Sequence, residues 1–207
     1  MENLIISVGR QLGSGGCEIA QALAQEFGCK FYDSELINLA AERSGFNPKI
    51  FAHNDENHGN LKTFFGAFSS RLGRMSGAFY SNSMSQESLF QVQSDVIRTV
   101  AEESPCVFVG RCADYILREK ERLFSVFITA DDDVRTKVVA ERLGCDLETA
   151  ARYIEKKEEE RASYYNYYTS KLWGASQSYD LCINSSMLGQ QRTAELIGEI
   201  IRERFNM

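Results

Sequence analysis

Histidine, paired cysteine and long apolar runs are scarce in this 207-residue sequence. Only two histidines occur, His53 and His58, both in the polar stretch HNDENH without supporting cysteines. That stretch reads as a loop rather than a zinc site. The six cysteines, Cys17, Cys29, Cys106, Cys112, Cys145 and Cys182, form no C-x-x-C pair. Their scattered spacing argues against a disulfide framework and for reduced, mostly buried thiols. No apolar run approaches the length of a membrane span. The first residues, MENLIISVGR, have neither the basic start nor the apolar length of a signal peptide, so a cytoplasmic location is expected. No Ser-His-Asp or Cys-His constellation is apparent. Positive charge is also in deficit: 23 Lys and Arg face 29 Asp and Glu, a net charge of -6. An acidic balance argues against nonspecific binding to nucleic acid or an anionic membrane, though it leaves room for a local basic pocket.

What is present is an alternation of short apolar runs with helical periodicities. Leu4 to Val8 reads as a buried strand, and Ile19, Ala20, Leu23, Ala24 and Phe27 share one face of the helix that follows. Gly28 suits its end. Lys30 to Tyr32 is a short second strand, and Asp33-Ser34 suits the cap of a helix from Glu35 to about Arg43. Residues 45–85 lose the pattern and are expected to form a mobile insert. A helix over Ser85 to Glu103 leads through Pro105 to a third strand, Cys106 to Val109. Leu123 to Ile128 is a fourth strand, and Val134 to Leu143 a helix that Asp131 or Asp132 can cap. Asp146 to Tyr168 is a charged helical region with a break expected near Ser163. Tyr179 to Ile183 is a fifth strand, and Gln190 to Phe205 a final helix. Such alternation predicts an α/β domain: a five-stranded parallel sheet with helices on both faces.

The chemistry concentrates between the first strand and helix. Gly9 to Gly16 is a glycine-rich turn, and the helix beyond it starts at Cys17. Strand, glycine turn and helix N-terminus together make an anion site, because backbone N–H groups and the helix dipole aim at the same point. Gly13, Ser14, Gly15, Gly16 and Cys17 are the candidate phosphate-binding residues. Compared with G-x-x-x-x-G-K-[ST], Arg10 holds the first glycine position and Gly16 replaces the lysine. Cys17 replaces the metal-binding hydroxyl. The backbone cradle survives, and Arg10 is the candidate source of the missing charge.

The motifs GRQLGSGGCEIA, KFYDSELI, VFVGRCADYIL and FITADDD, in that order, resemble the cytidylate kinase-like family. Each is weak alone, and their order and spacing carry the resemblance. It covers nearly the whole chain except about Gly45 to Ser85. It implies a P-loop NTPase-type three-layer fold, with residues 152–170 as a lid and 45–85 as an acceptor-side insert. It further implies transfer of the γ-phosphoryl group of ATP, with Mg²⁺, to a nucleoside monophosphate, CMP or dCMP. Asp33 matches the aspartate of the "YLD" motif, near the acceptor, a role compatible with capping the next helix. Arg111 matches the arginine of "GRDIGT", an acceptor-phosphate ligand whose fork suits phosphate oxygens. Cys112 stands where that motif has aspartate, and Asp114 is the candidate replacement. Leu39 stands where those kinases have arginine, with Arg43, Arg71 or Arg74 as compensating residues. Among the lid cations Arg152, Lys156, Lys157 and Arg161, Arg161 ranks first for stabilising the transferred group. The same charges also fit a solvated helix laced with ion pairs. The run Tyr164, Tyr165, Tyr167, Tyr168 fits a base-stacking surface, a packing stripe or a homodimer contact. The loop from Asn184 to Leu188 is where the family places the donor adenine. Two rival readings stay open: a nucleotide-binding regulatory protein without turnover, and a kinase for another small phosphate acceptor.

Overall fold

The computed structural model describes residues 3–34, 37 and 86–207. Five parallel strands, β1 (Ile5–Arg10), β2 (Lys30–Tyr32), β3 (Cys106–Val109), β4 (Leu123–Thr129) and β5 (Leu181–Asn184), form one sheet in the order β2-β3-β1-β4-β5. The described helices are α1 (Gly16–Glu26), α2 (Gln86–Glu103), α3 (Ala113–Ile116), α4 (Asp132–Leu143), α5 (Leu147–Thr169) and α6 (Gly189–Phe205). The single-turn helix α3 has no counterpart in the sequence pattern, because four residues are too few to show a period.

Side chains alternate across a strand, so one short run feeds two cores. Leu4, Ile6 and Val8 pack with Ile19 and Leu23 of α1 and Ile197 and Ile201 of α6. Ile5 points the other way, toward Val96, Ile97 and Val100 of α2, Ala113 and Ile116 of α3 and Tyr165 of α5. A third small cluster, Val139, Ala140, Ala150 and Ile154, fixes α4 against α5 and packs on Leu12.

Helix α1 ends as expected, with Gly28 just beyond it at φ 62°. Two details differ. Asp131 precedes α4, but its carboxylate makes no cap and instead accepts from Asn184 Nδ2 at 2.8 Å. Helix α5 runs through Ser163 without a break: Asp146 caps its start through the Thr149 N–H at 2.7 Å, and no proline interrupts it. The expected insert at 45–85, the two histidines, Leu39, Arg43, Arg71 and Arg74 lie outside the described residues. All six cysteines are free, as expected, but only Cys106 and Cys112 are buried, and Cys182 is exposed.

Candidate active site

The sheet order changes direction at β1: β3 and β2 lie on one side, β4 and β5 on the other. Crevices open beside strand C-termini at such a point. Here the crevice lies between the turn after β1 and the turn after β3. It is a cleft of about 290 Å³ lined by Arg10, Arg111, Arg161 and Asp114, with Tyr164 and Tyr179 among its walls.

The turn after β1 is bound at several points. The Gln11 N–H donates to Ile128 O at 3.0 Å, and Ser14 Oγ to Gln11 O at 2.8 Å. Ser185, from the segment after β5, donates to Ser14 O at 2.7 Å. Gly13 and Gly15 adopt φ of 82° and 72°, and α1 begins without a side-chain cap. Its first N–H groups are therefore available to an anion.

Position 16 explains the missing lysine. A Cβ on Gly16 would lie 2.5 Å from Arg10 Cβ and 2.9 Å from Arg10 Cγ. The Arg10 side chain thus fills the space that a side chain at position 16 would enter. It continues to the far turn, where a Cβ on Gly110 would lie 2.6 Å from Arg10 Nη1. Burial, then the like charge of Arg161, with a further contribution from Arg111, lowers the Arg10 pKa to about 10. Asp33 and Cys17 oppose that shift. The Asp33 carboxylate is thereby within electrostatic reach of Arg10, and it also acts on Cys17.

The turn after β3 has a left-handed backbone over Gly110, Arg111 and Cys112, at φ 80°, 55° and 57°. Two consecutive non-glycine residues in this region carry strain, of the kind concentrated at ligand sites. The conformation turns Arg111 into the cleft, its guanidinium 5.4 Å from the Tyr164 ring centroid. Its Nε is buried and has no hydrogen-bond partner among the described residues. Cys112 packs in the core cluster at the edge of the cleft, where burial raises its thiol to about 12. Asp114 lines the cleft but accepts from Tyr165 Oη at 2.6 Å, with Lys171 Nζ at 3.9 Å. Burial raises its carboxyl above the ordinary range despite these partners.

Helix α5 closes the third side. Arg161 donates to Arg10 O at 3.3 Å, so it meets the glycine turn directly. Burial lowers its pKa, opposed by Glu158. Lys157 instead pairs with Glu160 and Arg152 with Glu148, both near the surface. The tyrosine run is divided: Tyr164 and Tyr165 line the cleft, and Tyr168 stacks on Phe90 at 4.0 Å. Tyr167 is 68% exposed.

The structure therefore brings Arg10, Arg111, Arg161 and Asp114 to one cleft, with Asp33 in charge reach and Gly13 to Cys17 beside it. Sequence reasoning did not single out Arg135, Glu158 or Gly110 for the site. Gly110 stands in VFVGRCADYIL without a role that the motif reveals, whereas Arg135 and Glu158 belong to no motif. Their contacts span 123 residues for Arg135–Leu12 and 146 for Leu12–Glu158.

Phosphate oxygens fit this constellation, since the glycine turn offers amides and the cleft offers guanidinia. A hard cation fits position 17 poorly. Cys17 offers sulfur where Mg²⁺ prefers oxygen, and no cluster of three metal-ligating side chains occurs among the described residues.

The fold and the strand-end loop define the P-loop kinase class. The family model for the cytidylate kinase-like family matches residues 5–187, and the chain belongs to that family. A cytidylate kinase of Methanopyrus kandleri is 22% identical over 208 residues, covering 94% of this chain and 91% of that protein. Among solved structures, an uncharacterized protein from Eubacterium ventriosum is 28% identical with a TM-score of 0.73, covering 96% of this chain and 98% of the other. Shikimate kinase from Bacteroides thetaiotaomicron shares the fold at 14% identity and a TM-score of 0.53, covering 99% of each chain.

Proposed function

We propose that this protein transfers the γ-phosphoryl group of ATP to a nucleoside monophosphate, with CMP or dCMP as acceptor. The observation that carries this reading is the path of Arg10. Its side chain occupies the space above position 16 and reaches Gly110, so one cation spans the glycine turn and the Arg111 turn. A charge placed there serves the role of the absent lysine.

The amides of Gly13 to Cys17 hold the donor phosphates, and the loop at Asn184 to Leu188 borders the adenine. Arg111, with a free Nε, holds the acceptor phosphate, and Asp33 and Asp114 flank the acceptor. Residues 152–170 act as the lid, from which Arg161 faces the transferred group. An acceptor phosphate oxygen forms a bond to the γ-phosphorus as the bond to the β–γ bridging oxygen breaks, and ADP leaves. Arg10 and Arg161 stabilise charge on the oxygens in flight; positioning and electrostatics supply the rate. Mg²⁺ bound to the nucleotide would add charge neutralisation, and Cys17 offers it sulfur where the motif has a hydroxyl.

The test is coupled ADP release with ATP and Mg²⁺ across a panel of nucleoside monophosphates. Turnover with CMP or dCMP, reduced about a thousandfold in Arg10→Ala, is the expected result. ATP binding without turnover on any acceptor would overturn it in favour of a regulatory nucleotide binder. One observation favours a different acceptor. Cys112 is a thiol packed in the core cluster and Asp114 is engaged by Tyr165, so the aspartate of "GRDIGT" has no direct equivalent. Turnover confined to another phosphate acceptor would establish that reading.

A further inference from the structure

Four glutamates lie among the lid cations, and one of them, Glu158, reaches the glycine turn. Glu155 and Glu159 are exposed, and Glu160 pairs with Lys157 near the surface. The Glu158 side chain is 17% exposed and meets three groups. Its Oε1 accepts from the Leu12 N–H at 2.8 Å and from Arg161 Nη1 at 3.3 Å. Its Oε2 faces Arg135 Nη2 at 3.4 Å. Arg135 is 4% exposed and donates through Nε to Leu12 O at 2.9 Å and through Nη1 to Asp132 at 3.1 Å. The Leu12 peptide is thus held at its N–H from α5 and at its C=O from α4. Two helices distant in sequence grip one residue of the glycine turn. The same carboxylate restrains Arg161, which also donates to the Arg10 carbonyl oxygen.

We infer that Glu158 is a positioning residue: it latches α5 to the glycine turn through Leu12 and fixes Arg161 over the cleft. Its catalytic consequence rests on the phosphotransferase reading, and the latch itself does not. A flexible arginine pays side-chain entropy each time it is ordered on a phosphate. A carboxylate that orders it beforehand lowers that cost in the transition state. Removing Glu158 also leaves Arg135, almost wholly buried, with a weakened set of partners.

The experiment uses the full chain with Glu158→Gln, Glu158→Ala, Arg161→Ala and the Glu158→Ala/Arg161→Ala pair. Hydrogen exchange at the Leu12 amide is read first, without ligand. At least tenfold faster exchange is expected in Glu158→Ala. Glu158→Gln should retain most protection, because its carbonyl oxygen still accepts from the Leu12 N–H while its charge is gone. Turnover is read second. In both Glu158 variants kcat should fall at least tenfold with the ATP KM within about threefold, and the Glu158→Ala and Arg161→Ala effects should not multiply. Unchanged Leu12 exchange in Glu158→Ala would overturn the latch. Multiplying effects on kcat would overturn the positioning of Arg161. If the unmodified protein turns over no acceptor, the phosphotransferase reading fails and the exchange measurement still decides the latch.

Discussion

Two adjacent strands carry the same tripeptide at their ends: Val8-Gly9-Arg10 closes β1, and Val109-Gly110-Arg111 runs from the last residue of β3 into the turn beyond it. They run parallel, with Val8 opposite Val109. Yet the two arginines do different things. Arg10 continues its strand, paired with Ile128 of β4, and its side chain folds back along Gly16. Arg111 leaves the sheet in a left-handed turn and opens toward Tyr164. The difference comes from the neighbour on the far side. β1 has β4 to carry its pairing two residues past Val8, whereas the pairing of β3 stops at Val109. One tripeptide thus supplies a fixed cation to the glycine turn and an opening cation to the cleft.

The largest expected effect comes from breaking the first half of this pair. Arg10→Ala should lower kcat/KM about a thousandfold while leaving the sheet intact, read by steady-state kinetics and circular dichroism. Gly16→Ala tests the same point from the other side. Its Cβ would lie 2.5 Å from Arg10 Cβ, so a destabilisation of about 1–3 kcal/mol is expected by denaturant titration. Arg10→Ala/Gly16→Lys, which rebuilds the usual lysine in the vacated space, should recover nucleotide binding that Gly16→Lys alone abolishes.

Arg111→Ala should act on the acceptor alone, raising its KM by about tenfold or more with the ATP KM unchanged. A rise in both constants would merge the two arginines into one role. Asp114→Asn probes the support under the Arg111 turn. Burial raises the Asp114 pKa, so this acid holds its proton more tightly in the folded than in the unfolded chain. Its contribution to stability is full below the ordinary carboxylate pKa and is lost as pH rises through the folded value. Asp114→Asn should flatten that decline, seen as a smaller fall in Tm from acid to neutral pH. The smallest effect is expected at Tyr167→Phe. It removes an exposed hydrogen bond to Glu87 and should change stability by less than about 0.5 kcal/mol by thermal melting.

The strands and major helices described here were legible from periodicity, usually to within two residues. The run Leu4 to Val8 announces a buried strand, and Ile19 to Phe27 an amphipathic helix, because burial imposes spacing on the sequence itself. The short helix Ala113–Ile116 and the continuity of α5 through Ser163 were not legible. The tyrosine run showed its aromatic character but not its division. Tyr168 packs and Tyr167 faces solvent because a helix turns adjacent residues about 100° apart. The candidate site residues were legible where a motif carries them, at Gly13 to Cys17, Asp33 and Arg111. They were illegible where only a distant partner gives them meaning, as at Arg135.

By itself, the sequence determined the glycine turn between strand and helix and the parallel alternation around it. Local spacing encodes both, and backbone geometry leaves few alternatives. Tertiary structure alone decided that Arg10 fills the room above position 16 and that Glu158, among four similar glutamates, reaches Leu12. Those outcomes depend on what lies opposite, and the Leu12–Glu158 contact joins residues 146 apart in the chain, a pairing that no local pattern encodes.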